Sequence, residues 1–146
     1  MGRTRVRRML IASSTLLLLV GCRDVASEVA PEYEPGTVKP IKGSDLDLSR
    51  VTLTEDAARR IGLETTPVEA EDRGGRLIVP ASAIWIDEHG DAWVYTNPEP
   101  LVFVRAQVEV ARYVGDTAAV LSDGPEPGTE VASVGVPELI GTEFGV

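Results

Sequence analysis

Few side chains in this 146-residue chain can do covalent or ligand chemistry, and their places narrow what that chemistry is. There is one cysteine, Cys22, and one histidine, His89. Both methionines, Met1 and Met9, lie ahead of Cys22. A zinc, copper or iron–sulfur centre draws on several Cys, His or Met donors, and a single chain of this composition does not hold them. An intrachain disulfide is excluded by the cysteine count. Nucleophilic catalysis needs a base beside the nucleophile, and the one imidazole stands in Glu88-His89-Gly90, a turn sequence that leaves it in solvent. Asp87, Glu88 and Asp91 could gather around a hard cation, but they lack the ligand number and order of a calcium loop. Gly74-Gly75 is not followed by a helical pattern and makes no phosphate loop. The chain is expected to be no enzyme, with no metal and no cofactor.

Cys22 is different, because its surroundings specify a reaction. Arg3, Arg5, Arg7 and Arg8 form a positively charged start, and Met9 to Val20 is an apolar run too short to span a bilayer comfortably. The run closes in Leu19-Val20-Gly21-Cys22, which resembles a bacterial lipobox. The resemblance implies cleavage after Gly21, with Cys22 as the new N-terminus and a diacylglyceryl group (palmitate-type chains) on its sulfur. Two acyl chains hold a protein on a membrane where one holds it only marginally, at ~0.8 kcal/mol per buried CH₂. The mature lipoprotein is therefore expected on the extracytoplasmic face of the cell membrane, tethered and not spanning.

Cleavage would remove four of the 14 basic residues and none of the 23 acidic ones, leaving a net charge of about −13. A chain this acidic is not expected to bind nucleic acid. Residues 22–50 read as the lipidated cysteine and a flexible, disordered linker. Pro31, Pro35, Pro40, Gly36 and Gly43 interrupt it, and its apolar residues show no sustained period. As a coil it would reach about 30 Å. Residues 1–21 are then a signal peptide and 51–146 the folded domain, with its ordered part running from Val51 to about Leu139.

Within the domain, Val51-Thr52-Leu53 is strand-like. Thr54 is a good helix N-cap, Glu55 and Asp56 suit a first turn, Arg59 and Arg60 a last one, and Gly62 a stop. Ala57, Ala58 and Ile61 supply the buried stripe. Leu63 to Glu69 reads as extended, and Leu77-Ile78-Val79 as a strand limited by Pro80. Ile84 to Ile86 and Ala92 to Tyr95 flank a turn and read as a hairpin. Val102, Val104, Ala106, Val108 and Val110 alternate with Phe103, Arg105, Gln107 and Glu109, which predicts one buried face and one largely wet face. Ala118 to Leu121 and Glu130 to Val134 flank the breaker sequence Gly124 to Gly128. The predicted fold is mostly β, a small antiparallel β-domain with one short N-terminal helix, preceded by a signal segment and disordered linker.

An ordered series of these residues resembles the periplasmic adaptor, or membrane fusion, proteins of efflux pumps. Leu77 to Ile84 is similar to that family's "VPxSAV" segment. Gly90 with Trp93-Val94-Tyr95 matches its glycine hairpin and "VYV" strand. Arg105 to Val110 matches "R-x-V-x-V". Gly124, Pro127, Gly128, Val131 and Val134 match a "GLxPGxxVV" turn, with Pro125 where the family has Leu, and Gly135 and Leu139 follow. Val51 to Glu69 resembles the adaptors' opening. The family carries a barrel, a lipoyl-like sandwich and usually a helical hairpin between the two matched stretches. Here the seven residues Ala70 to Arg76 stand in their place, so the resemblance is to the membrane-proximal domain alone.

That resemblance, with Cys22, implies an accessory or adaptor-like subunit of a transmembrane transport (efflux) system, non-catalytic, whose partner is a transporter permease. The alternative is a surface lipoprotein that binds a small ligand or cell-wall component. Trp85, Trp93 and Tyr95 fall on one side of the predicted hairpin. They are expected either to cover a second face of the sheet or to form an exposed patch for partner contact.

Overall fold

The computed structural model describes residues 34–72 and 74–146. The expected signal segment and Cys22 lie outside the described residues. The elements run β1 (Gly36–Pro40), β2 (Ser49–Leu53), α1 (Glu55–Ile61), β3 (Glu64–Pro67), β4 (Glu69–Ala70), β5 (Leu77–Pro80), β6 (Trp85–Ile86), β7 (Ala92–Glu99), β8 (Val102–Val114), β9 (Ala118–Asp123), β10 (Glu130–Val134) and α2 (Val136–Phe144). The fold is mostly β and antiparallel, as the sequence predicts.

The local signals place α1. Thr54 Oγ1 accepts from the Ala57 amide at 3.1 Å, and Gly62 ends the helix in the left-handed region at φ 64°. A cap of this kind contributes about 1 kcal/mol. Glu55 and Asp56 lie at the positive end of the helix dipole and Arg59 and Arg60 at the negative end. Ala57 is buried, with Ala58 and Ile61 packed beside it.

The sheet follows the order β3-β10-β7-β8-β9-β5-β4. Its two ends, β3 and β4, are consecutive in the chain. One extended stretch therefore pairs with β10 through its first half and with β5 through its second, which curls the sheet toward closure as a near-barrel. Val68 sits at the bend, 2% exposed, its amide bonded to the Thr129 carbonyl and its carbonyl to the Gly128 amide.

Strands β7 and β8 separate two cores. On the inner side Val94 and Val108 meet Val68, Val79, Leu121 and Val131. On the outer side Tyr95 and Phe103 meet Val51, Leu53, Ala57 and, from α2, Val136 and Leu139. The expectation of one buried and one wet face on β8 is corrected here. The inner face is apolar as read, but Phe103 and Arg105 on the other are 1% and 9% exposed, because the helices cover it and β2, paired with β8, sets Val51 beside Phe103.

Two further differences are physical in origin. The segment read as linker up to Arg50 contains β1 and part of β2, paired from Gly36↔Leu53 to Pro40↔Ser49. β1 is an edge strand with four of its five residues exposed, so it owes its place to backbone pairing and leaves no apolar period to read. Gly36 permits that pairing, since a Cβ there would run into the Thr52 carbonyl oxygen. Helix α2 carries no such local signal in the sequence. It begins with Gly135 at φ 88°, where a Cβ would meet Ile61 and Leu63 at 3.1 Å, so the glycine sets the close approach of the two helices. Strand β9 pairs with β5 and β8, whereas β10 pairs with β3 and β7. The Gly124–Gly128 turn thus carries the chain from one sheet position to another.

Candidate functional site

Trp85, Trp93 and Tyr95 do come together, but not as an exposed patch. Trp85 pairs with Trp93 across β6–β7, and Tyr95 pairs with Arg105 across β7–β8. Side chains opposite one another in a sheet share a face, and diagonal neighbours lie within reach of long or aromatic groups. Tyr95 is fully buried and Trp93 is 6% exposed, so these two cannot be a contact surface as they stand. The end of α2 covers them, and it brings two residues that the sequence reading did not single out, Glu143 and Phe144.

Arg105 is the centre of what results. Its Nε donates to Glu143 Oε1 at 2.9 Å and its Nη2 donates to the Asp47 carbonyl at 2.5 Å. Tyr95 Oη donates to Glu143 Oε2 at 2.6 Å. The Arg105 and Glu143 side chains are 9% and 2% exposed, so this is a buried ion pair. The guanidinium carbon lies 4.8 Å from the Trp93 ring centroid, 5.1 Å from Phe144 and 5.8 Å from Trp85. Trp85 and Phe144 touch each other, centroids 5.7 Å apart and planes tilted by 54°. A cation over an aromatic face gains about 0.5–2 kcal/mol. Removing one partner of a buried ion pair costs about 3–5 kcal/mol, because the other charge is stranded.

The chemistry of the box is that of a clasp. Burial, and then the hydrogen bond to Glu143, push the Tyr95 phenol well above its ordinary range, so it stays a donor. The carboxylate and guanidinium are spent on each other. The arrangement ties α2, through Glu143 and Phe144, to the outer face of β7 and β8.

One side of the box is finished by the β6–β7 turn. Asp87 Oδ1 accepts from the amides of His89 at 2.9 Å and Asp91 at 3.0 Å, and Oδ2 accepts from Trp93 Nε1 at 2.9 Å. Burial works against the Asp87 carboxylate, but these hydrogen bonds outweigh it and hold the carboxyl below its usual pKa. His89 projects from this turn, exposed, with Nε2 3.7 Å from Glu88. Asp87, Glu88 and Asp91 do not converge: among the described residues no set of three His, Cys, Asp or Glu side chains is placed to hold a metal ion.

Arg105, Glu143 and Phe144 left faint signals at best. An arginine between Val104 and Ala106, in a strand whose neighbour carries Trp93 and Tyr95, could have been suspected of burial. Its acid lies 38 positions further on, and nothing local links the two.

The chain matches no protein-family model, no curated protein and no solved structure.

Proposed function

We propose that the chain is a lipid-anchored extracytoplasmic protein that acts as a non-catalytic, adaptor-like subunit of a membrane transport system. The observation that carries the anchor is Leu19-Val20-Gly21-Cys22 after a charged start and a short apolar run. Among the described residues no helix is long and apolar enough to cross a membrane. The adaptor half of the reading rests on the ordered resemblance from Val51 to Leu139. The chain departs from the family at the junction of β4 and β5, where the family carries its large insertion. Here those strands pair directly, Glu69↔Ile78 and Ala70↔Leu77, with no inserted module between them.

With Trp93 and Tyr95 buried, the contact surface has to be sought elsewhere. Ile86 and Tyr113, 49% and 51% exposed, flank an open trough beside the far half of β8. Covering such side chains is where a partner gains most, at about 25 cal/mol per Å².

The test has two arms. Cys22→Ser should move the protein from the membrane to the soluble fraction and abolish labelling by a clickable fatty acid. Equal membrane retention of variant and wild type would remove the anchor from the account. A photo-crosslinking residue at Tyr113 should trap an integral membrane transporter in native membranes. Repeated failure to recover any transporter contradicts the adaptor reading and leaves the anchor standing.

A further inference from the structure

The clasp around Arg105 opens to solvent as a recess of about 570 Å³, within the range of about 300–1,000 Å³ usual for small-molecule sites. Its wall includes Trp85, Phe144 and Leu46. The last two are 49% and 42% exposed, so the fold leaves this apolar surface uncovered. Its rim is acidic. Asp47, Glu88 and Asp91 all stand exposed around the mouth. The Asp47 carboxylate has no hydrogen-bond or ion-pair partner among the described residues, because only that residue's backbone carbonyl serves Arg105. The Asp91 carboxylate is equally unengaged, since it is the Asp91 backbone that bonds to Asp87.

Two basic side chains line the same recess. The Arg105 charge is balanced by Glu143 beneath it, and His89 lies against Glu88. The mouth is left with surplus negative charge. Carboxylates alone would draw any cation, but the aromatic wall selects among them. A weakly hydrated cation on an apolar body gains from ring faces, whereas a strongly hydrated metal ion gains little. The floor of the recess already shows that these three rings accept a planar organic cation, the protein's own guanidinium.

We infer that this recess binds a small organic cation, an ammonium or guanidinium carried on an apolar body. The charge sits at the Asp47, Glu88 and Asp91 rim, and the body lies against Trp85 and Phe144. The site is independent of the lipid anchor and of any permease contact, so failure of either leaves it untouched.

Trp85 and Trp93 are the only tryptophans in the chain and both line the recess, so tryptophan emission, excited selectively over tyrosine, reads this site. Titrating the full-length chain with benzyltrimethylammonium should produce a saturable change in emission. Benzyl alcohol, the uncharged comparison, should produce none over the same range. The double variant Glu88→Gln, Asp91→Asn keeps the turn's backbone bonds and should weaken binding about tenfold. Its circular dichroism should match wild type, which separates loss of the site from loss of the fold. An absent or unsaturable response to the cation, an equal response to benzyl alcohol, or an affinity unchanged in the double variant each overturns the inference.

Discussion

Strand β8 turns one face to an apolar core and the other to an ion. On the inner side Val108 packs among Val94, Leu121 and Val131, and nothing polar intrudes. On the outer side, three residues away, Arg105 is nearly as buried yet carries a full charge, held by Glu143, Asp47 and three rings. The inner core is non-directional, and its members can exchange volume with moderate loss. The clasp is directional: Arg105 Nε and Nη2, Tyr95 Oη and both Glu143 oxygens have assigned partners, and removing one strands another. The same backbone thus supports one region that tolerates substitution in small steps and one that fails abruptly.

The sharpest break comes from Arg105→Asp. It replaces the cation with an acid against the buried Glu143 carboxylate, and should cost more than about 4 kcal/mol. For a domain this small the thermal transition should vanish or fall by tens of degrees. A variant that melted like wild type would return β8 to the one-wet-face reading.

Smaller steps compare the two faces. Val108→Ala deletes two buried methyl groups from the inner core and should cost about 2 kcal/mol in urea denaturation, without changing the pH dependence of stability. Tyr95→Phe removes one hydrogen bond to a buried carboxylate and should cost about 1.5 kcal/mol. It should also alter the alkaline limb. The native phenol's pKa is raised, so its share of the stability is present below the ordinary value of about 10 and is lost as pH rises above it. That loss should be missing from Tyr95→Phe.

The smallest effect is at Asp87. Its native pKa is lowered, so its contribution is present above the unfolded value of about 3.9 and is lost as pH falls through the lower native value. The Trp93 indole N–H resonance should shift in that acid window and stay constant above it. A shift centred near neutrality would point to a different acceptor.

How legible each region was follows from how local its causes are. The cap of α1 is written within nine residues, from Thr54 to Gly62, and was readable. The inner face of β8 and the β6–β7 turn were readable for the same reason: alternation and turn chemistry act between near neighbours. β1 was not, since an exposed edge strand is fixed by its partner's backbone. α2 was not, because Gly141 and Thr142 give it little intrinsic propensity and its buried residues matter only against α1 and β2. The clasp was legible only in its aromatic half. Trp85, Trp93 and Tyr95 could be placed on one side from alternation, but what covers them depends on Glu143 and Phe144 reaching back from the end of the chain. An arginine in an alternating strand reads as outward-facing unless its counter-ion is known.

The most direct test of the clasp is a double-mutant cycle on Arg105 and Glu143. Wild type, Arg105→Met, Glu143→Leu and the double variant are compared by urea denaturation at neutral pH. Each single change strands a buried charge and should cost about 3–5 kcal/mol. The double change removes both charges and should recover much of that loss, giving a coupling of about 2 kcal/mol or more. If the two single losses add in the double variant, so that the coupling is near zero, then Arg105 and Glu143 do not form the buried pair on which this account of the outer face rests.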